Sequence, residues 1–96
     1  MIKHVVCYKL KDNSLEKCEE AKQVLLSMKG KVKYFNSIEV GIDILKSERS
    51  YDLILIMTFD SMEDMTLYQQ DEFHCKNVKP YMHEARLSSV AVDYII

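Results

Sequence analysis

The chain has 96 residues, enough for one domain, 1–96, and too few for two halves that each bury a core. Hydrophobic residues make up 48% and charged residues 29%, with two Gly and one Pro, which excludes a disordered chain. Lys and Arg number 13 against 15 Asp and Glu, a net charge of −2, so no basic excess exists to draw in nucleic acid.

Residues 2–10 alternate at period two. Ile2, His4, Val6, Tyr8 and Leu10 share one face, and Lys3, Val5, Cys7 and Lys9 the other, which predicts a strand. The turn Lys11-Asp12-Asn13-Ser14 supplies a helix cap at Asn13 or Ser14. Leu15, Cys18, Ala21, Leu25 and Met28 then recur at helical spacing until Gly30 stops the run. Residues 34–43 predict a second strand with Ile38, Val40 and Ile42 on one face, and 44–50 a connecting loop. Residues 51–59 are apolar on both faces, so that strand is expected at the centre of its sheet.

Asp60-Ser61-Met62-Glu63-Asp64 is a helix start, with Ser61 as cap and an inward stripe of Met62, Met65 and Tyr68 (or Leu67). A helical pattern resumes from Glu72 to about Lys79, where Pro80 is expected to end it. Residues 86–96 alternate again, with Val90, Val92, Tyr94 and Ile96 against Leu87, Ser89, Ala91, Asp93 and Ile95.

The order βαββαβ predicts an α+β, ferredoxin-like domain with a four-stranded antiparallel sheet, strands one and three central and both helices on one side. The open face is expected to carry apolar residues among Val5, Cys7, Ile54, Ile56, Leu87 and Ala91. Water is a poor cover for such a face, so two sheets are expected to stack as a homodimer.

The opening MIKHVVCYKL is too charged for a signal-peptide core, and the longest apolar run, Leu53–Met57, is too short to cross a membrane. Cys7, Cys18 and Cys75 form an odd set without CxxC spacing, which argues against a disulfide framework and a zinc ribbon. A reduced, cytoplasmic setting without membrane attachment is the expectation.

Three residues bear on chemistry. His4 sits among apolar neighbours on strand one, where a plain core histidine is the bland reading. Tyr68 faces the sheet from the second helix, and a buried phenol needs a polar partner. His74 follows six residues later. If the helices cover the His4 face, the three converge at one end of the space between sheet and helices. Two imidazoles and a phenol can move protons near neutral pH. Cys75 adjoins His74, but neighbours on a helix point about 100° apart, which spoils a nucleophile–base pair. Asp71, Glu72, His74, His83 and Glu84 supply metal-ligand types, and Asp71-x-x-His74 has chelating spacing, yet such combinations are common on solvated helices, so no metal and no cofactor is expected. Gly-rich phosphate loops, GxSxG and HExxH are absent from the sequence.

The runs Met1-Ile2-Lys3-His4-Val5-Val6, Tyr8-Lys9-Leu10-Lys11, Ile38-Glu39-Val40-Gly41, Ser50-Tyr51-Asp52-Leu53, Phe59-Asp60-Ser61, Tyr68-Gln69 and Val92-Asp93-Tyr94 resemble the stress-responsive A/B barrel domain (Dabb) family. The resemblance spans essentially the whole chain and implies a dimeric α/β barrel built from two ferredoxin-like sheets. The family's second-helix segment Tyr-x-x-His-Pro-x-His is matched at Tyr68 and His74, with Asp71 and Glu72 replacing the His-Pro pair. A plant polyketide cyclase in the family is similar in using these residues around its pocket. By that likeness His74 is the general base, Tyr68 binds a carbonyl and His4 lines the site.

The residues and the resemblance together describe a small dimeric domain, without an assigned reaction, that binds a small hydrophobic ligand between sheet and helices. The alternative is a cofactor-free cyclase- or isomerase-like enzyme using His74 and Tyr68. A monooxygenase of the wider superfamily is disfavoured, because the chain has no Trp and no Asn–Trp–His set.

Overall fold

Strand β1 (Ile2–Leu10) lies at the middle of the sheet, with Ile2, His4 and Leu10 buried on one face. It pairs antiparallel with β3 (Leu53–Phe59), His4 opposite Met57, and with β4 (Arg86–Ile95), His4 opposite Asp93. Strand β2 (Ser37–Ile42) pairs with the outer side of β3, giving the order β2-β3-β1-β4. Within the computed structural model, which describes residues 1–96, this sheet and its covering helices form the expected ferredoxin-like α+β fold, with β1 and β3 central.

Helix α1 (Leu15–Leu26) starts where Ser14 Oγ accepts a hydrogen bond from the Lys17 N–H at 3.3 Å. It buries Cys18, Ala21 and Leu25 against the sheet. Beyond it the chain turns at Gly30, whose φ of +83° suits glycine. Asp52 is buried and accepts from the Leu10 N–H at 2.8 Å, which ties the end of β1 to the start of β3. The core between sheet and helices includes Leu25, Met28, Leu55, Met57 and Phe59, all 1% exposed or less. Each such side chain contributes roughly 1.5–3 kcal/mol by leaving water.

Helix α2 (Met62–Gln70) is capped by Ser61, which accepts from the Asp64 N–H at 3.2 Å. Met65 and Tyr68 are buried, but Met62 is 56% exposed, against the expected inward stripe. Residues spaced i, i+3, i+6 spread over about 120° of a helix, so one end of the stripe leaves the contact. The expected stop at Pro80 is also corrected. A π-helical segment, His74–Val78, leads directly into α3 (Lys79–Ala85), where Pro80 occupies the first turn. Proline is tolerated there because the first N–H groups of a helix lack partners. The strain falls on the turn before it: the Lys79 N–H bonds the His74 carbonyl, five residues back.

Strands β2 and β3 are shorter than their apolar stretches. Tyr34 and Phe35 pack on the core from outside the ladder. The faces of β4 differ from the expectation more sharply. Paired residues of an antiparallel ladder share a face, so Ser89, Ala91 and Asp93, opposite Tyr8, Val6 and His4, lie on the helix side. Ala91 therefore does not belong to the open face. Val90, Val92 and Tyr94, opposite Cys7, Val5 and Lys3, do, at 49%, 62% and 44% exposure. Leu87 is the extra residue of a bulge and is exposed.

Candidate functional site

His4, at the centre of β1, projects under the helices. Its Nδ1 is hydrogen-bonded to Asp93 Oδ1 on the paired position of β4. A neutral imidazole that donates its Nδ1–H to a carboxylate presents a lone pair at Nε2.

Tyr68 is carried over this imidazole by the last turns of α2. Its ring meets Phe59 at 5.4 Å between centroids and His4 at 6.2 Å edge-on, and stacks on His74 at 4.3 Å. The stacking depends on the break after α2. Asp71, in an extended conformation, closes α2, and its Oδ2 accepts from the His74 backbone N–H at 3.1 Å. The chain restarts there as the π segment, with His74 turned inward. The carboxylate that could have chelated a metal with His74 is instead used as a backbone cap. Glu72 pairs with Lys76 at 2.8 Å on the exposed side, and no three His, Cys, Asp or Glu side chains are arranged so that they could hold one metal ion.

A partly open cleft of about 190 Å³ lies between β1, β4 and the helices. His4, Tyr68 and His74 line it, and so does His83, so all three histidines of the chain reach one cleft. Val6, Leu25, Val78 and Met82 supply apolar wall, and Tyr8, Gln69, Lys79, Arg86 and Ser89 the polar remainder.

Electrostatics differ among these groups. Burial and the nearby Lys79 cation hold His74 below the usual imidazole value of 6.5, opposed by Asp71 and the Tyr68 carbonyl, while His4 adds to the lowering. The ring is therefore neutral at pH 7. Its Nδ1 is buried with no hydrogen-bond partner. Burial drives the Tyr68 phenol well above its usual range, so it stays a proton donor. Tyr8 is pushed up to about 12 by burial, against the pull of Arg86. Two imidazoles and a phenol thus border one small space, one imidazole oriented by a carboxylate and the other neutral and unpaired.

From the sequence, Lys79 and Arg86 carry no expectation of chemistry, His83 only that of a metal-ligand type, and Asp93 only its place in the run Val92-Asp93-Tyr94. Asp93 was readable only in part: Ser89 and Asp93 share one face of the strand, but which side of the sheet that face takes is set by the pairing with β1.

The fold has close likenesses among solved structures. One is a dimeric protein of ferredoxin-like fold from Bacteroides fragilis, 24% identical, covering 99% of this chain and 95% of that one, with a TM-score of 0.81. A protein of Arabidopsis thaliana is 23% identical over 100% and 95% of the two chains, TM-score 0.85. A Dabb family protein of Mesorhizobium loti is 20% identical over 99% and 95%, TM-score 0.78. At these identities the likeness is one of fold. No match is found among curated proteins. The model of the stress responsive A/B barrel domain matches residues 2–96, and the chain belongs to that family, Dabb.

Proposed function

We propose that the protein is a homodimer whose chains each bind a small, largely hydrophobic carbonyl compound in the cleft between sheet and helices. The observation that carries this reading is the cleft itself: four apolar side chains form its wall beside His4, Tyr68 and His74. Apolar walls with a few convergent polar groups are the usual composition of ligand sites. The homodimer follows from the open sheet face, where Val5, Cys7, Ile54, Ile56, Val90 and Val92 lie uncovered by any helix. The description of the Bacteroides fragilis structure as dimeric supports it. A thermal-shift series with acetophenone tests the binding. Ligand should raise the melting temperature of the wild type by mass action, and raise that of His74→Ala less. Equal shifts for both proteins would count against this cleft.

A second reading is favoured by one observation, a neutral His74 ring that lines the cleft and stacks on Tyr68. Here His74 removes a proton from the carbon beside the ligand's carbonyl, and the Tyr68 hydroxyl hydrogen-bonds the oxygen as enolate charge develops. The proton returns to carbon from the imidazolium, which restores the base without cofactor or oxidant. Exchange of the acetophenone methyl protons in D2O, followed by NMR, reads that step. The wild type should accelerate it and His74→Ala should not. A wild type that binds the ketone without exchanging its protons would limit the site to binding.

A further inference from the structure

We propose that this cleft carries a carboxylate subsite, in which Arg86 and Lys79 hold the acid end of a compact organic acid. The proposal rests on the cleft being a ligand site and names the class of ligand it takes.

Charge is the first reason. The lining includes two full cations, Lys79 and Arg86, together with His83, and not one Asp or Glu. The chain as a whole has a net charge of −2, so this cleft runs against its average. Neither cation takes part in an ion pair. The ion pairs are His4–Asp93, Lys11–Glu84, Lys17–Glu20 and Lys76–Glu72. A half-buried guanidinium without a protein carboxylate retains its attraction for a planar anion, which it can meet through two parallel N–H groups.

Construction is the second. In a regular strand Arg86 and Ser89, three residues apart, would point to opposite faces. The ladder shifts between Lys9 and Leu10, so that Ser89 faces Tyr8, Ser88 faces Lys9 and Arg86 faces Leu10, with Leu87 left over. That extra residue returns Arg86 to the cleft side, a re-aiming for which bulges beside functional sites are known. Arg86 Nη1 then donates to Ser89 Oγ at 2.9 Å, which orients the guanidinium plane. Lys79 arrives from the other wall, at the residue where the π segment hands over to α3.

Size and polarity set the rest of the ligand. A space of about 190 Å³ is smaller than the roughly 300–1,000 Å³ typical of sites for drug-sized molecules. A single ring or short chain between the acid and a carbonyl fits that scale. The carboxylate then lies toward Arg86 and Lys79, and the carbonyl toward Tyr68 and His74.

Calorimetric titration of the full chain with 4-acetylbenzoate and its uncharged isostere 4-acetylbenzamide tests this. The acid should bind the wild type about 10- to 100-fold more tightly than the amide, the range for a charge-assisted pair. Arg86→Gln should abolish the preference while sparing the amide, and Arg86→Lys should restore part of it. Lys79→Gln, at an exposed position with little bearing on folding, should weaken the acid selectively by about 3- to 10-fold through loss of the second charge. Equal affinity for acid and amide, with both weakened by Tyr68→Phe, would overturn the carboxylate subsite and leave the ligand site standing. No saturable binding of either compound would overturn both.

Discussion

His4 and Asp93 are hydrogen-bonded side chain to side chain across the β1–β4 ladder, from directly paired positions 89 residues apart in sequence. The pairing puts a carboxylate behind an imidazole that borders the cleft, and it makes the edge strand β4 part of the site. Asp93→Ala should release the His4 ring. With the carboxylate side chain about one-third exposed, the stability cost should be modest, about 1 kcal/mol in urea denaturation. The imidazole 15N shifts of His4 should move from a single Nδ1–H tautomer toward a mixture. An unchanged tautomer in the variant would show that the carboxylate does not set it.

His74 titration follows from its lowered pKa. The folded state disfavours the imidazolium, so the unfolded chain takes up this proton first as pH falls. The contribution of His74 to stability is full above its unfolded value of 6.5 and is lost as pH drops through 6.5 to the lower native value. NMR titration of the His74 ring should give a midpoint below 6.5, and His74→Asn should flatten the fall in stability across that window. A midpoint above 6.5 would mean that Asp71 and the Tyr68 carbonyl outweigh burial and Lys79.

Tyr68 separates packing from chemistry. Tyr68→Phe keeps the ring contacts with Phe59 and His74, so stability should change by less than about 1 kcal/mol. Tyr68→Ala empties a site where the side chain is 2% exposed and should cost about 3–5 kcal/mol. Only the hydroxyl should matter for the carbonyl ligand, with Tyr68→Phe weakening acetophenone binding by about tenfold. A Phe variant that binds as tightly as the wild type would remove Tyr68 as the carbonyl partner.

On the open face, Val92 of β4 and Ile56 of β3 both neighbour Val5 of β1. Val92→Glu should place a charge in the sheet-to-sheet contact and dissociate the dimer, with little effect on the fold of the single chain. Sedimentation at micromolar concentration should give two chains for the wild type and one for the variant. A wild-type monomer at that concentration would contradict the stacked-sheet dimer.

Much of this architecture was legible in the residues. The period-two run of β1 and the two-faced apolar run of β3 are strong signals because one face of each meets a solid core. The convergence of His4, Tyr68 and His74 was readable from the His4 face and the helix spacing. Strand β4 misled because its polar alternate, Ser89 and Asp93, lies on the helix side of the sheet, while Val90, Val92 and Tyr94 face outward. Burial by the chain's own core is not the only reason a strand face is apolar. Pro80 misled for a local reason, since a stop signal and a first-turn proline look alike until the preceding turn is seen to widen. Asp93 and Arg86 depended on long-range register and a bulge, neither of which has a short sequence signature.

The most direct measurement for the ligand site is the imidazole 15N spectrum of the wild type as acetophenone is added. His4 and His74 should shift together and saturate at one dissociation constant, and Tyr68→Phe should raise that constant. Shifts confined to His83 at the rim, or none that saturate, would contradict the ligand site.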